Sequence, residues 1–190
     1  MTYNSAMDRP LALRIVVMGV SGCGKSTVGA LLAQALGADF VEGDRLHPPQ
    51  NIALMAAGTP LTDADRAGWL AEIAGQLGQA AAADLGLVLS CSALKRSYRD
   101  QLRESCPGLQ FVHLQGTPEL LRQRLQARSG HYMPASLLDS QLATLESTGA
   151  DEAAVVIDIS LPAGQICATA LAALRDRRSD QRDRIAPITP

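Results

Sequence analysis

Aromatic side chains are scarce in this chain: one tryptophan, three tyrosines and two phenylalanines stand among 190 residues. The core therefore has to be packed from Ala, Leu, Val and Ile, and an apolar content of 47% supplies them. Lysine is scarcer still. Lys25 and Lys95 are the only two among 17 basic residues, so both positions suit a compact ammonium in a chain that elsewhere uses the planar guanidinium. A net charge of −2 leaves no basic excess to hold a nucleic-acid backbone. No apolar run is long enough to span a bilayer, and no secretory signal pattern is present, so no membrane partner is expected. Cys23, Cys91, Cys106 and Cys167 show neither C-x-x-C nor metal-type spacing; they read as free thiols in a reducing cytosol. The length suits one domain with a sizeable core.

What is present starts with Gly19-Val20-Ser21-Gly22-Cys23-Gly24-Lys25-Ser26-Thr27, which matches G-x-x-x-x-G-K-[ST] in full. Glycines let successive backbone N–H groups curl into a concave anion site, and the free N–H groups of the following helix face the same anion. Lys25 would reach the β- and γ-phosphates of a nucleotide, and the Ser26 hydroxyl would ligate Mg²⁺. The context fits, because Arg14 to Met18 is a β-branched apolar run and Thr27 to Leu36 carries apolar residues at helical spacing. Cys23, inside the loop, is a candidate for oxidative inactivation.

Strand-like and helix-like segments then alternate. Strands are expected at 39–41, 85–91, 109–114 and 153–159, and helices at 49–57, 63–83, 95–105, 118–128, 134–146 and 164–178. Such alternation implies an α/β fold, a five-stranded parallel sheet flanked by helices, with ligands at the C-terminal ends of the strands. Residues 14–178 read as one domain, 1–13 as an extension and 179–190 as a loose tail.

Several polar groups fall at those strand ends. Glu42-Gly43-Asp44 follows the second strand, with His47 just beyond. A carboxylate beside a phosphate site suits an acceptor hydroxyl or metal-bound water, and Asp44 is the candidate base. Arg66 sits in a helix first turn, where the dipole disfavours it, so an anionic partner such as a substrate carboxylate is expected, or else Asp63 or Asp65. Lys95, Arg96 and Arg99 lie near the start of another helix and ask for the same compensation, with Ser92 and Tyr98 as hydroxyl donors. Arg124 and Arg128, at i,i+4, share a helix face and suit charge stabilisation over a phosphoryl group. His113 reads as a core or edge residue and Trp69 as core.

Together, the phosphate loop and the blocks E-G-D-R-L-H-P-P-Q-N, G-T-P-L-T-D-A-D-R-A-G-W-L, C-S-A-L-K-R-S-Y-R-D-Q-L-R and R-S-G-H-Y resemble the small bacterial-type gluconokinases, over about residues 14–160. The resemblance implies a nucleoside-monophosphate-kinase-like fold with a small lid, about residues 122–146. It implies ATP-dependent phosphorylation of D-gluconate at its 6-hydroxyl, with Mg²⁺, in a cytoplasmic homodimer. On this reading Gly19 to Thr27 bind ATP, and Lys25, Asp44, Arg124 and Arg128 are catalytic. Asp44, His47, Arg66, Ser92, Lys95 and Arg99 bind the sugar acid. The family pattern has D-G-D where this chain has Glu42-Gly43-Asp44. A kinase for another small hydroxy acid, such as shikimate, would share the fold and an Arg-lined site. A non-catalytic nucleotide sensor is opposed by the residues: Asp65-Arg66-Ala67-Gly68 spells D-x-x-G but follows no strand, and no N-K-x-D exists.

Overall fold

Five short strands form one parallel sheet in the order β2-β3-β1-β4-β5. The computed structural model describes residues 12–127 and 137–185, the last of these, 178–185, as backbone only. The strands are β1 (Arg14–Met18), β2 (Asp39–Glu42), β3 (Leu87–Ser90), β4 (Gln110–Gln115) and β5 (Val155–Asp158). The helices are α1 (Lys25–Leu36), α2 (Pro49–Ala56), α3 (Asp63–Ala82), α4 (Arg96–Ser105), α5 (Pro118–Gln126), α6 (Leu137–Thr144) and α7 (Ala163–Ile185).

The central strand β1 is covered on both faces, which is why its sequence is continuously apolar rather than alternating. Ile15 and Val17 face one way, into a core with Val28 and Leu32 of α1 and Ile166 and Leu174 of α7. Val16 and Met18 face the other, into a core with Trp69 and Ile73 of α3 and Leu102 of α4. The parallel register puts Val17 beside Ser90 and Met18 beside His113, so the loops after β1, β3 and β4 emerge at one edge. That edge carries the site.

Two boundaries differ from the sequence expectation. α7 continues through Ile185, so residues 179–185 are helix rather than loose tail. The stretch from Gln165 to Ala186 contains no Gly or Pro to stop a helix, and the first breaker is Pro187. α4 begins at Arg96, with Lys95 extended as its N-cap at φ −95° and ψ 150°. The start expected for the helix at 134 lies outside the described residues, as do 128–133. Trp69 and His113 are buried, as the sequence suggests.

Candidate active site

The phosphate loop leaves β1 through Gly19 at φ +137° and reaches α1 through Gly22 at +82° and Gly24 at +97°. These are left-handed-side conformations that a side chain would strain. At Gly19 the space is closed as well, since a Cβ there would lie 2.6 Å from Leu114 O. Gly19 N donates to Ser92 O at 3.3 Å, which ties the loop to the end of β3. Lys25 is buried and its Nζ donates to Val20 O at 3.2 Å. Burial is the largest influence on this ammonium and opposes its charge. Cys23, Asp44 and Glu42 around it outweigh that penalty, and its pKa lies above the ordinary lysine value.

Gly43 brings the next group in. A Cβ at Gly43 would fall 2.1 Å from Ser90 O, so only glycine lets the end of β2 press against the end of β3. Trp69 Nε1 donates to Gly43 O at 2.8 Å, and Gly43 N donates to Ser90 Oγ at 3.2 Å. Ser90 Oγ in turn donates to Glu42 Oε1. Glu42 is therefore committed to the sheet end, and Asp44, one step into a 3-10 turn over Gly43–Leu46, points to the phosphate loop.

Two adjoining cavities result. The larger, about 490 Å³, is lined by the loop from Ser21 to Val28, by Asp44, and by Arg124, Leu161, Ala163 and Ile166. Arg124 is anchored there, its Nη2 donating to Ile159 O at 2.6 Å. The smaller cavity, about 20 Å³, is lined by Asp44, His47, Arg66, Ser92 and Lys25, with Leu137, Ser140 and Gln141 of α6 as its far wall. Ser21, Lys25 and Asp44 face both. Arg66 has no ion-pair partner among the described residues, so neither Asp63 nor Asp65 claims it. Asp65 instead closes a capping box with Thr62.

His47 is stacked on Trp69, with ring centroids 4.2 Å apart and planes 13° from parallel. Asn51 Nδ2 donates to Asp65 O at 2.7 Å and stands 3.4 Å from His47 Nδ1. Burial pushes the His47 pKa down to about 4, with Arg66 acting the same way and Asp44 against it. The ring is neutral near pH 7.

Not every expected residue is brought to the cavities. Arg99 is fully buried, its Nε and Nη2 paired to Glu152 at 2.6 and 2.8 Å. Lys95 is absent from both cavity walls, and its Nζ sits 2.8 Å from each Asp63 oxygen. Arg96 pairs with Asp151 at 2.5 Å, and its backbone N–H donates to Glu146 at 2.6 Å. The cations at the start of α4 do have anionic compensation, as the helix dipole requires, but protein carboxylates supply it and no ligand is needed. Tyr98 also donates to Asp63. Cys23 is fully buried and burial raises its thiol pKa, the opposite of what makes a cysteine easy to oxidise. Arg128 lies outside the described residues. The sequence reading missed Leu161, Ala163 and Ile166, although a loop after a parallel strand was signal enough. It also missed Gln141, for which the sequence carries no signal.

A phosphate loop beside a second cavity, with one carboxylate shared between them, defines a phosphate-loop kinase. The AAA domain family profile matches residues 15–148. The chain is 58% identical over 138 residues to a gluconokinase of Gluconobacter oxydans, covering 73% of this chain and 78% of that one. It is 42% identical over 161 residues to the thermoresistant gluconokinase of Escherichia coli, covering 84% and 92%. The crystal structure of a gluconokinase from Sinorhizobium meliloti superposes with a TM-score of 0.84 at 48% identity, over 93% of this chain and 99% of that one. The chain belongs to the gluconokinase family.

Proposed function

We propose that this protein transfers the γ-phosphoryl group of ATP to the 6-hydroxyl of D-gluconate, giving 6-phospho-D-gluconate and ADP. The observation that carries the reading is Asp44, which lines both the phosphate-loop cavity and the smaller one holding the unpaired Arg66. A carboxylate at that junction is placed to accept the hydroxyl proton as the sugar oxygen bonds to Pγ and the bond from Pγ to the ADP oxygen breaks. Arg66 offers a two-pronged grip for the gluconate carboxylate. Ser92 and neutral His47 add hydrogen-bonding groups for hydroxyls without adding charge. Lys25 and Arg124 face the donor cavity, where they neutralise charge on the phosphates. Leu161, Ala163 and Ile166 give it an apolar wall suited to adenine.

Ser26 and Asp44 put a hydroxyl and a carboxylate oxygen on the same cavity wall. Among the described residues no group of three or more His, Cys, Asp or Glu forms a dedicated metal cage. That oxygen pair fits Mg²⁺, which takes one or two protein oxygens and completes its shell with phosphates and water. When bound, Mg²⁺ would offset charge on the β- and γ-phosphate oxygens, with Ser26 as its protein ligand.

Among the described residues no helix is long and apolar enough to cross a membrane. A cytosolic setting is supported by four buried, unpaired thiols. A homodimer and a lid over about 122–146 are the expectations that the family resemblance supports. The deciding experiment is ADP release in the presence of Mg²⁺ with a panel of acids. Stimulation by gluconate supports the reading. Stimulation by shikimate alone, or by no acid, defeats it.

A further inference from the structure

α6 walls the smaller cavity and is held by polar contacts along its length, one of them an exposed ion pair to α5, Arg122 Nη2 to Asp139 Oδ1 at 2.9 Å. At its C-terminal end, Glu146 N donates to Leu94 O at 2.8 Å, and Arg99 Nη1 donates to Leu94 O and Glu146 O at 3.1 and 3.2 Å. Nearer its start, Gln141 Oε1 accepts the backbone N–H of Ser21 at 2.7 Å. Ser21 is a phosphate-loop residue that faces both cavities. Around this bond, α6 is packed by apolar contacts: Leu137 against Met55 and Leu61, and Leu138 in the core under the sheet end. Such contacts are non-directional and tolerate sliding. The Ser21–Gln141 bond is directional and joins the acceptor wall to the donor loop.

We propose that Gln141 is a positioning residue that makes the enzyme select a sugar hydroxyl over water. It latches α6 onto the phosphate loop and keeps the smaller cavity shut until the acceptor enters. This rests on the phosphoryl-transfer reading above. With the wall in place the cavity measures about 20 Å³, room for roughly one water. A six-carbon acid needs α6 to move outward, and an outward move breaks the Ser21–Gln141 bond. With ATP bound and no acceptor, an unlatched wall admits bulk water to the γ-phosphate. The side reaction is then hydrolysis: the water oxygen bonds to Pγ, the bond from Pγ to the ADP oxygen breaks, and the water's proton passes to solvent.

Two variants separate the latch from general packing. Gln141→Met keeps length and apolar contact but has no oxygen for the Ser21 N–H. Gln141→Glu keeps an oxygen there. The measurements are ADP release from ATP and Mg²⁺ without acceptor, and the ratio of ADP to phosphorylated acid with gluconate. Gln141→Met is expected to raise acceptor-free ADP release roughly two- to ten-fold, the effect of one lost hydrogen bond on a closing equilibrium. It should also lift the ratio above one, while Gln141→Glu, which keeps an accepting oxygen, should raise acceptor-free release less than Gln141→Met does. A merely structural role would lower hydrolysis and transfer together with the melting temperature. Unchanged or reduced acceptor-free release in Gln141→Met overturns the proposal. If the parent protein does not phosphorylate gluconate, the functional reading falls, and the acceptor-free comparison still judges Gln141.

Discussion

Arg99 grips Glu152 with two near-parallel bonds, Nε to one carboxylate oxygen at 2.6 Å and Nη2 to the other at 2.8 Å, and neither side chain reaches solvent. The third nitrogen of the guanidinium, Nη1, donates to Ala93 O and Leu94 O, each at 3.1 Å. The ion pair thus braces the turn in which Ala93 sits at φ +43° and whose Ser92 O receives Gly19 N. Removing one partner strands a buried charge, so Glu152→Ala should cost about 3–5 kcal/mol of stability in urea unfolding. The hydrogen bond from Arg99 holds the Glu152 carboxyl down at about 2, against 4.5 for an unperturbed glutamate. A depressed folded-state pKa stabilises fully above pH 4.5, and that stabilisation is lost as pH falls from there toward 2. Glu152→Gln should flatten this part of the stability profile; an unaltered slope would show that the pair does not set it.

Asp44→Asn keeps size and shape and removes the proton acceptor. The expected kcat loss is roughly 10²- to 10⁴-fold, with ATP affinity nearly unchanged by titration calorimetry. A variant with parental kcat would remove Asp44 from the chemistry.

Arg66 and Lys95 should separate cleanly. Arg66 lines the smaller cavity with no ion-pair partner among the described residues, and on the proposed function Arg66→Ala should raise the gluconate KM about 10- to 100-fold, as loss of a charge-assisted bond does. Lys95 is held by Asp63 outside the cavity, in a pair that solvent reaches, and Lys95→Ala should shift the same KM far less. Steady-state kinetics of the two variants side by side decides this. The reverse order would mean that Lys95 leaves Asp63 when substrate binds.

His47 has its pKa lowered by burial from 6.5 to about 4. The unfolded chain therefore takes up this proton first, and stability drops as pH falls through 6.5 toward 4. His47→Gln, neutral throughout, should reduce that drop in thermal melts between those pH values. A drop of the same size in the variant would assign it to other groups.

Gly43→Ala forces a Cβ to within 2.1 Å of Ser90 O. Backbone cannot yield as a flexible side chain does, so β2 must separate from β3 at the site edge and carry Asp44 with it. The variant should lose about 1–3 kcal/mol of stability and a larger share of kcat than of ATP affinity. Parental kinetics would show that the strand ends have more freedom than their packing implies.

The parts readable from sequence were those that short-range physics fixes. The glycine spacing between Gly19 and Gly24 dictates a loop of inward N–H groups whatever surrounds it. The apolar runs of β1 and β3 read as strands covered on both faces. The place of Asp44 on the cavity wall beside the loop was legible because it follows a strand by two residues in a chain with a phosphate loop. The fate of the cations at α4 was not legible. Their charge near a helix start required anions, but Lys95 finds its anion 32 residues away and Arg99 finds its own 53 residues away. Gln141 was hidden for the same reason, since its partner lies 120 residues earlier in the chain.

The sequence by itself determined a glycine-rich loop of phosphate-binding type, an alternating α/β domain and a carboxylate near that loop, because each depends on backbone conformations set within a few residues. The tertiary structure alone decided that Arg66 and not Arg99 or Lys95 lines the smaller cavity, and that α6 forms one of its walls. Those outcomes depend on sheet order and on which long side chains meet across it; for Arg99, burial makes an unpaired charge too costly and holds it on Glu152.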